Sequence, residues 1–286
     1  MKTDNYFEIG TSHDVCQDFA LSGKINDKIY YALITDGCTE SHRVSGEVDF
    51  GARVIAYSAR ESLKNILGKE DNLKSIQPYL MDFNRNLRNQ LLFSTRQVGD
   101  CLKLTELFAD ATLAVVLTDG NIANVFIYGD GGVIVYKRST DIIYKEVSFL
   151  SSAPYYMSYL QSVDRNKAYQ IAFGSSPVIL TTYEINGING EVRQANEQIK
   201  EINPDLNNKT AFTFDDFLSI SVTSDGIKSY DTCGNPIPSS TLAKQFISFK
   251  NSNAGFLQRR FNFLKREHKE SSTTHYDDVS VATVLL

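Results

Sequence analysis

Three apolar runs in this chain stop on an aspartate that sits beside glycine. ALITDG (32–37), NVFIYGD (124–130) and SISVTSDG (219–226) are rich in β-branched and aromatic residues, the composition of strands. Two further runs are written in reverse and open on acids: DFALSGKI (18–25) and DDVSVATVLL (277–286). Asn26-Asp27 lies between DFALSGKI and KIYYALIT (28–35) and reads as a two-residue turn. A hairpin closed there pairs residue 18 near residue 35, which puts Asp18 and Asp36 side by side at its open end. Neighbouring carboxylates repel unless a cation lies between them or one takes up a proton. A sheet of antiparallel strands of this kind therefore collects its acids on one rim, and that rim calls for positive charge.

The rest of the chain fills in the frame. ATLAVVLT (111–118) and NIANVFIYGD (121–130) flank Asp119-Gly120, the clearest hairpin signal present, and pairing across that dipeptide sets Asp130 opposite Ala109 and Asp110. Gly131-Gly132 then leads into VIVYK, a third antiparallel strand. Asp119 falls at the opposite end of these strands and is read as turn chemistry only. Val54, Ile55, Ala59, Leu63 and Ile66 recur at helical spacing, as do Ile76, Leu80, Phe83, Leu87 and Leu91. Two amphipathic helices are expected near 242–249 and 256–265. Between them and the hairpins, KAYQIAF (167–173) and PVILTTYE (177–184) read as strands, whereas the polar stretch 186–210 reads as loop with a short helix. The order of elements gives an α+β protein: two central, mainly antiparallel β-sheets flanked by helices, in one domain spanning 1–286.

Composition narrows the function. The 286 residues carry a formal net charge of −5 with a pI near 5.5 and no run of Lys or Arg, which argues against a nucleic-acid surface. Four cysteines form no CxxC pair, so they are read as free thiols in a reducing compartment. The N-terminus lacks an apolar core of signal length, and no stretch reaches the roughly 18 apolar residues of a membrane span. The expectation is a soluble cytoplasmic protein that binds neither membrane nor nucleic acid. The acids Asp18, Asp36, Asp130, Asp225 and Asp277 or Asp278 make a hard oxygen donor set suited to Mg²⁺ or Mn²⁺; no His/Cys cluster points to zinc.

In their order along the chain these pieces resemble the metal-dependent serine/threonine protein phosphatases of type 2C. HDVCQD (13–18) is similar to the N-terminal motif of that family, ALITDG to its strand ending in Asp-Gly, and the 111–136 stretch to its hairpin with Gly-Asp. ISVTSDGI (220–227) and YDDVSVATV (276–284) resemble the Ser-Asp-Gly motif and the closing strand. The resemblance implies hydrolysis of phosphoserine and phosphothreonine by an activated water at a two-metal site, with Mn²⁺ or Mg²⁺ as cofactor and a phosphoprotein as substrate, such as the product of a serine/threonine kinase. It implies that Asp36 bridges the ions, that the Gly37 carbonyl, Asp225 and Asp277 complete their ligands, and that Asp130 serves a third, weaker ion. Asp18 would orient water.

Several positions depart from the family pattern. His13 stands where many members have a phosphate-binding Arg, and Ser12-His13 resembles a bacterial subgroup. Cys38 stands where some have a His, with His42 nearby. Cys16 replaces Asn, Asp278 stands at an Asn position, and Asp110 where a small residue is usual. Segment 149–208 covers the variable flap of the family. Two other readings stay open: a catalytically weak module that binds a phosphorylated partner, and a phosphohydrolase of small esters.

Overall fold

In chain order the strands are β1 (Lys2–Glu8), β2 (Asp18–Lys24), β3 (Tyr30–Asp36), β4 (Leu113–Thr118), β5 (Ala123–Tyr128), β6 (Gly131–Tyr136), β7 (Ile142–Phe149), β8 (Val178–Ile185), β9 (Val192–Ile199), β10 (Ala211–Phe214), β11 (Ser219–Thr223), β12 (Tyr230–Thr232), β13 (Asn235–Pro236), β14 (Thr273–His275) and β15 (Val279–Leu285). The helices are α1 (Phe50–Leu67), α2 (Leu80–Leu102), α3 (Val163–Phe173), α4 (Ser239–Phe246) and α5 (Phe256–Glu270). This computed structural model describes residues 1–38, 50–74, 76–174, 176–199 and 210–286; His42 lies outside them.

Two antiparallel sheets face one another. One has the order β10-β5-β4-β3-β2, the other β1-β15-β11-β6-β7-β8-β9, and a small sheet β13-β12-β14 stands apart. Period-2 alternation explains the layers. On β3, Ala32 and Ile34 point between the sheets, where they meet Val133, Val135, Ile220, Val222 and Val284. Tyr31 and Leu33 point the other way, onto Ile55, Leu63, Leu87 and Leu91 of α1 and α2. A central strand covered on both faces is apolar throughout, which accounts for the unbroken run in KIYYALIT. On the far side, Leu242, Phe246, Leu257, Phe261 and Leu264 of α4 and α5 cover Ile134, Tyr144 and Val281. The result is the expected helix–sheet–sheet–helix stack.

Several local expectations change. The 119–122 loop has four residues rather than two, because Asp119 Oδ1 accepts from the N–H groups of Asn121 (2.9 Å) and Ile122 (3.1 Å) while its Oδ2 accepts from Leu73 N–H (2.9 Å). Pairing of Leu113 with Tyr128 and Thr118 with Ala123 shifts the register by two, so that Asp130 stops level with Ala111, short of the expected Ala109 and Asp110. An even shift keeps every side chain on its intended face. VIVYK belongs to β6, which pairs with β7 and β11 in the other sheet, so residues 129–130 carry the chain across. Residues 163–173 are helix, not strand, with Ser162 capping through Arg165 N–H. Residues 192–199 are a strand, paired with β8 over its full length.

At one end of β1, Glu8 fastens three elements. It accepts from Tyr6 Oη (2.7 Å), lies 3.2 Å from His275 Nε2 before β15, and pairs with Lys265 of α5. Burial works against the Glu8 carboxylate, yet hydrogen bonds from His275, Lys265 and Tyr6 outweigh it and bring its pKa down to about 2. Because the folded value lies below the ordinary 4.5, the stabilisation is present above pH 4.5 and is lost as pH falls toward 2. Glu8→Gln should therefore cost about 2–3 kcal/mol of unfolding free energy at pH 7, by urea denaturation, with the difference closing at low pH. Equal stability of the two proteins at pH 7 would remove Glu8 from this role.

Candidate active site

The strand ends meet at one rim, although the first hairpin turns through residues 25–29 rather than through Asn26-Asp27 alone, so that residue 18 pairs with 36 and not with 35. Asp18 opens β2 and Asp36 closes β3, and the two are direct partners in the ladder. Directly opposed residues hold their Cβ atoms about 5 Å apart, so the carboxylates share one space. Asp130 follows on the link between the sheets, where Gly129 takes a φ of +89°, a conformation open to glycine at little cost. Thr223 pairs with Gly132 on one side and Val281 on the other, which sets Asp225 between the Asp130 link and the start of β15. Gly226 is required by contact rather than by torsion: a Cβ there would lie 1.8 Å from the Asp278 carbonyl oxygen. That close approach brings the 225–226 and 277–278 corners together.

The electrostatics are those of excess negative charge. Asp18 is 2% exposed, and neither carboxylate oxygen has a hydrogen-bond partner of ordinary geometry. Burial pushes its pKa up to about 7; the hydroxyls of Ser224 and Ser280 beside it pull downward and Asp278 pushes further up. Burial, then the charges of Asp18, Asp225, Asp130 and Asp277, hold Asp36 well above the usual carboxylate range. Burial and Asp225 raise Asp130 to about 7, against the pull of Lys228. Asp277 is raised as well, by burial and Asp225. In contrast Asp278 is built into the structure, accepting from Gly10 N–H (2.8 Å) and Gln17 N–H (2.5 Å). Asp278 is thus the buried acid bound to main chain, and Asp277 lies at the rim.

His13 turns toward these acids. Its Nδ1 lies 3.1 Å from Asp278 Oδ1, out of line for a hydrogen bond, and its Nε2 lies 3.6 Å from Asp277 Oδ1. Asp110 is 1% exposed and accepts from Ser158 Oγ (2.5 Å) and Arg165 (2.6 Å). It therefore anchors α3, which lies within the variable segment. Burial, Asp278 and Asp18 push the Cys16 thiol up to about 12, the mark of an inert thiol.

Two residues escape the sequence reading. Lys228 Nζ lies 3.3 Å from Asp225 Oδ2 and 4.0 Å from Glu146 Oε1, a cation supplied to the rim by the chain itself. Its only signal is the spacing of Asp225 and Lys228, three apart in one turn. Tyr156 is buried beside Cys38 and Asp36; burial first, then those two neighbours, raise its phenol pKa. No pattern in APYYMSYL marks it.

Carboxylate oxygens of this kind, those of Asp18 buried without a partner and the carboxyls of Asp36, Asp130 and Asp277 raised by burial and by neighbouring acids, fit a divalent cation in chemistry. Among the described residues no three acid, imidazole or thiol side chains close into a finished metal cage, so the cation would have to draw them in.

Comparison with known proteins agrees with this layout. Residues 9–272 match the protein phosphatase 2C family, and the chain belongs to it. No curated protein matches it by sequence. Among solved structures, serine/threonine phosphatase Stp1 from Staphylococcus aureus is similar over 100% of this chain and 94% of its own, with 12% identity and a TM-score of 0.54. A bacterial serine phosphatase carrying an arginine-to-lysine substitution is similar over 100% and 97%, with 12% identity and a TM-score of 0.53. At such identity the likeness speaks for the fold alone. No helix of the described chain is long and apolar enough to cross a membrane.

The charge balance makes a paired prediction for protein held in chelator. Asp18→Asn removes a buried, unpartnered charge and should raise Tm by several degrees, since such a group costs about 1–3 kcal/mol. Lys228→Met removes the cation that Asp225 and Glu146 share and should lower it. Thermal melts in which both variants shift the same way would overturn this account of the rim.

Proposed function

We propose that the chain hydrolyses phosphoserine and phosphothreonine in proteins, using a divalent-metal site on the acid rim. The observation that carries this reading is the opposed pair Asp18 and Asp36, crowded by three further carboxylates and left short of positive charge. Asp36, Gly37 through its carbonyl, Asp225 and Asp277 would hold two ions, Mn²⁺ or Mg²⁺, with Asp130 beside a third. Such ions, when bound, supply a Lewis acid that neutralises charge on the phosphoryl oxygens and makes water a stronger nucleophile near neutral pH.

The chain's own groups supply the rest. Asp18, with both oxygens unspent, would orient a water and accept its proton as the water oxygen bonds to phosphorus and the seryl or threonyl oxygen departs. His13 faces Asp277 and Asp278, which suits it to hold that corner; a phosphate arriving there would meet its outer edge. Tyr156, kept protonated, offers a hydrogen-bond donor beside Asp36 and excludes water from that wall. Segment 149–208 would shape substrate choice, since Tyr156 and the Asp110–Arg165 pair tie it to the rim within the single domain 1–286. A cytoplasmic setting suits the free cysteines and a phosphoprotein substrate.

A second reading has one observation of its own. Lys228 already satisfies part of Asp225, which favours a module that binds a phosphorylated partner with weak turnover. Hydrolysis of p-nitrophenyl phosphate and of a phosphothreonine peptide, with Mn²⁺, with Mg²⁺ and with chelator, separates the two. Turnover should require added metal, and Asp36→Asn, folded by circular dichroism, should lose about a thousandfold or more. A folded Asp36→Asn protein with wild-type turnover would sink the assignment, and peptide binding without metal-dependent hydrolysis would favour the module.

A further inference from the structure

On an acidic chain, one groove carries only positive charge. It has a volume of about 280 Å³ and runs between the 248–251 loop and α5, where Lys250, Arg259, Arg260 and Arg266 line it together with Phe249 and Phe263. No acid lines it. Lys250 Nζ lies 4.7 Å from the centre of the half-buried Phe263 ring, and the Arg260 and Arg266 guanidinium carbons lie 5.5 and 5.7 Å from it. Three cations around one ring repel each other, and cation–π attraction offsets that only in part.

Main-chain carbonyls, rather than carboxylates, fix the arginines. Arg259 donates to Ala254 O (2.5 Å), Asn253 O (2.8 Å) and Asn251 Oδ1 (2.9 Å), while Arg260 Nε donates to Gln245 O (2.5 Å). Carbonyls orient a guanidinium without cancelling its charge. Both terminal nitrogens of Arg260 keep no partner among the described residues, and burial lowers its pKa against the pull of Glu267. Asp4 is committed elsewhere, accepting from Leu257 N–H (2.7 Å) at the start of α5. What remains is an arranged set of cations with no acid among the described residues of the lining, Glu267 alone acting on Arg260 from outside it. Planar guanidinium edges over an aromatic floor suit a phosphate ester, which takes paired N–H donors and leaves its carbon stem to the ring. The groove is concave and narrow, with four cations only, which favours one phosphorylated side chain over a nucleic acid or a lipid surface.

The placement has a direction. Phe256 and Arg266 lie about 15 Å apart along α5 at 1.5 Å per residue. The helix then ends beside Glu8 and His275, next to the Asp277 corner of the rim. A peptide seated in the groove would have its continuing chain led toward the acids.

We propose that this groove docks a phosphorylated side chain of the protein substrate other than the one being hydrolysed. The idea rests on the phosphoprotein reading above for its purpose, although not for the binding itself. The test uses the whole protein with Mn²⁺ and a fluorescent peptide carrying a non-hydrolysable phosphonate analogue of phosphothreonine, followed by anisotropy. Lys250 and Arg266 make no structural hydrogen bond, so the double variant Lys250→Gln/Arg266→Gln should fold normally, as its melting curve will show.

It should bind the peptide about tenfold more weakly than wild type with Mn²⁺, and by a similar factor in chelator, where the rim holds no metal. Wild-type affinity should fall with added salt. On a doubly phosphorylated peptide the double variant should raise KM and leave kcat and p-nitrophenyl phosphate turnover unchanged. Unchanged peptide affinity in the double variant overturns the proposal, as does arginine-dependent binding to phosphatidylserine vesicles in place of the peptide. Groove-dependent peptide binding by a protein that hydrolyses no phosphate ester would keep the groove and refute the function instead.

Discussion

Asp18 and Asp36 occupy opposed positions in one β-ladder, and the fold gives neither carboxylate enough company to neutralise it. Everything at the rim responds to that. Asp130, Asp225 and Asp277 add to the repulsion, Lys228 returns part of the positive charge, His13 faces the 277–278 corner, and that corner is pinned by main-chain hydrogen bonds to Asp278. A protein keeps a destabilising cluster of this kind only where surrounding packing over-determines it. Here two sheets with a shared apolar core, and a helical layer on each outer face, hold the strand ends in place whatever their charge.

The rim was legible because strand period and acid position are both local signals. A run ending in Asp-Gly fixes which end of the strand carries the acid, and hairpin turns fix which ends meet. The register error at 119–122 did no harm, because a shift by two preserves the faces. What stayed hidden had no pattern to show. Helix α3 has Val163 and Ile171 exposed and only Tyr169 buried, so no apolar stripe distinguishes it from a strand. Strand β9 is an edge whose exposed side chains pack against little; its backbone pairing with β8 holds it, and backbone pairing leaves no trace in residue type. The polar β1 is likewise recruited by β15 along its whole length.

The departures from the family pattern fall into two groups once their surroundings are known. Cys16, Asp110 and Asp278 are structural: a thiol held protonated, an anchor for Arg165, and an acceptor for two backbone N–H groups. His13 and Lys228 are different, because each places a cationic or protonatable group against a rim acid. Many members have an Arg in the place of His13, free to take a phosphate; this chain directs its imidazole toward its own carboxylates instead. On the proposed function, the positive charge that receives the substrate would then come mainly from whatever the rim binds.

That consequence bears on how affinity for a phosphoprotein is built. A rim whose own cations are engaged with its own acids has little charge left with which to steer a dianion before metal is in place. The groove on α5 has the reverse character, with Arg259 and Arg260 oriented by carbonyls and no acid among the described residues of its lining. On the proposed reading, separating the two jobs would let the reaction site stay crowded with oxygen ligands while recognition took place on α5, which packs through Phe256, Phe261 and Leu264. The same chain can then be net acidic and still attract an anion, because the attraction is local and falls off within a Debye length of about 8–10 Å.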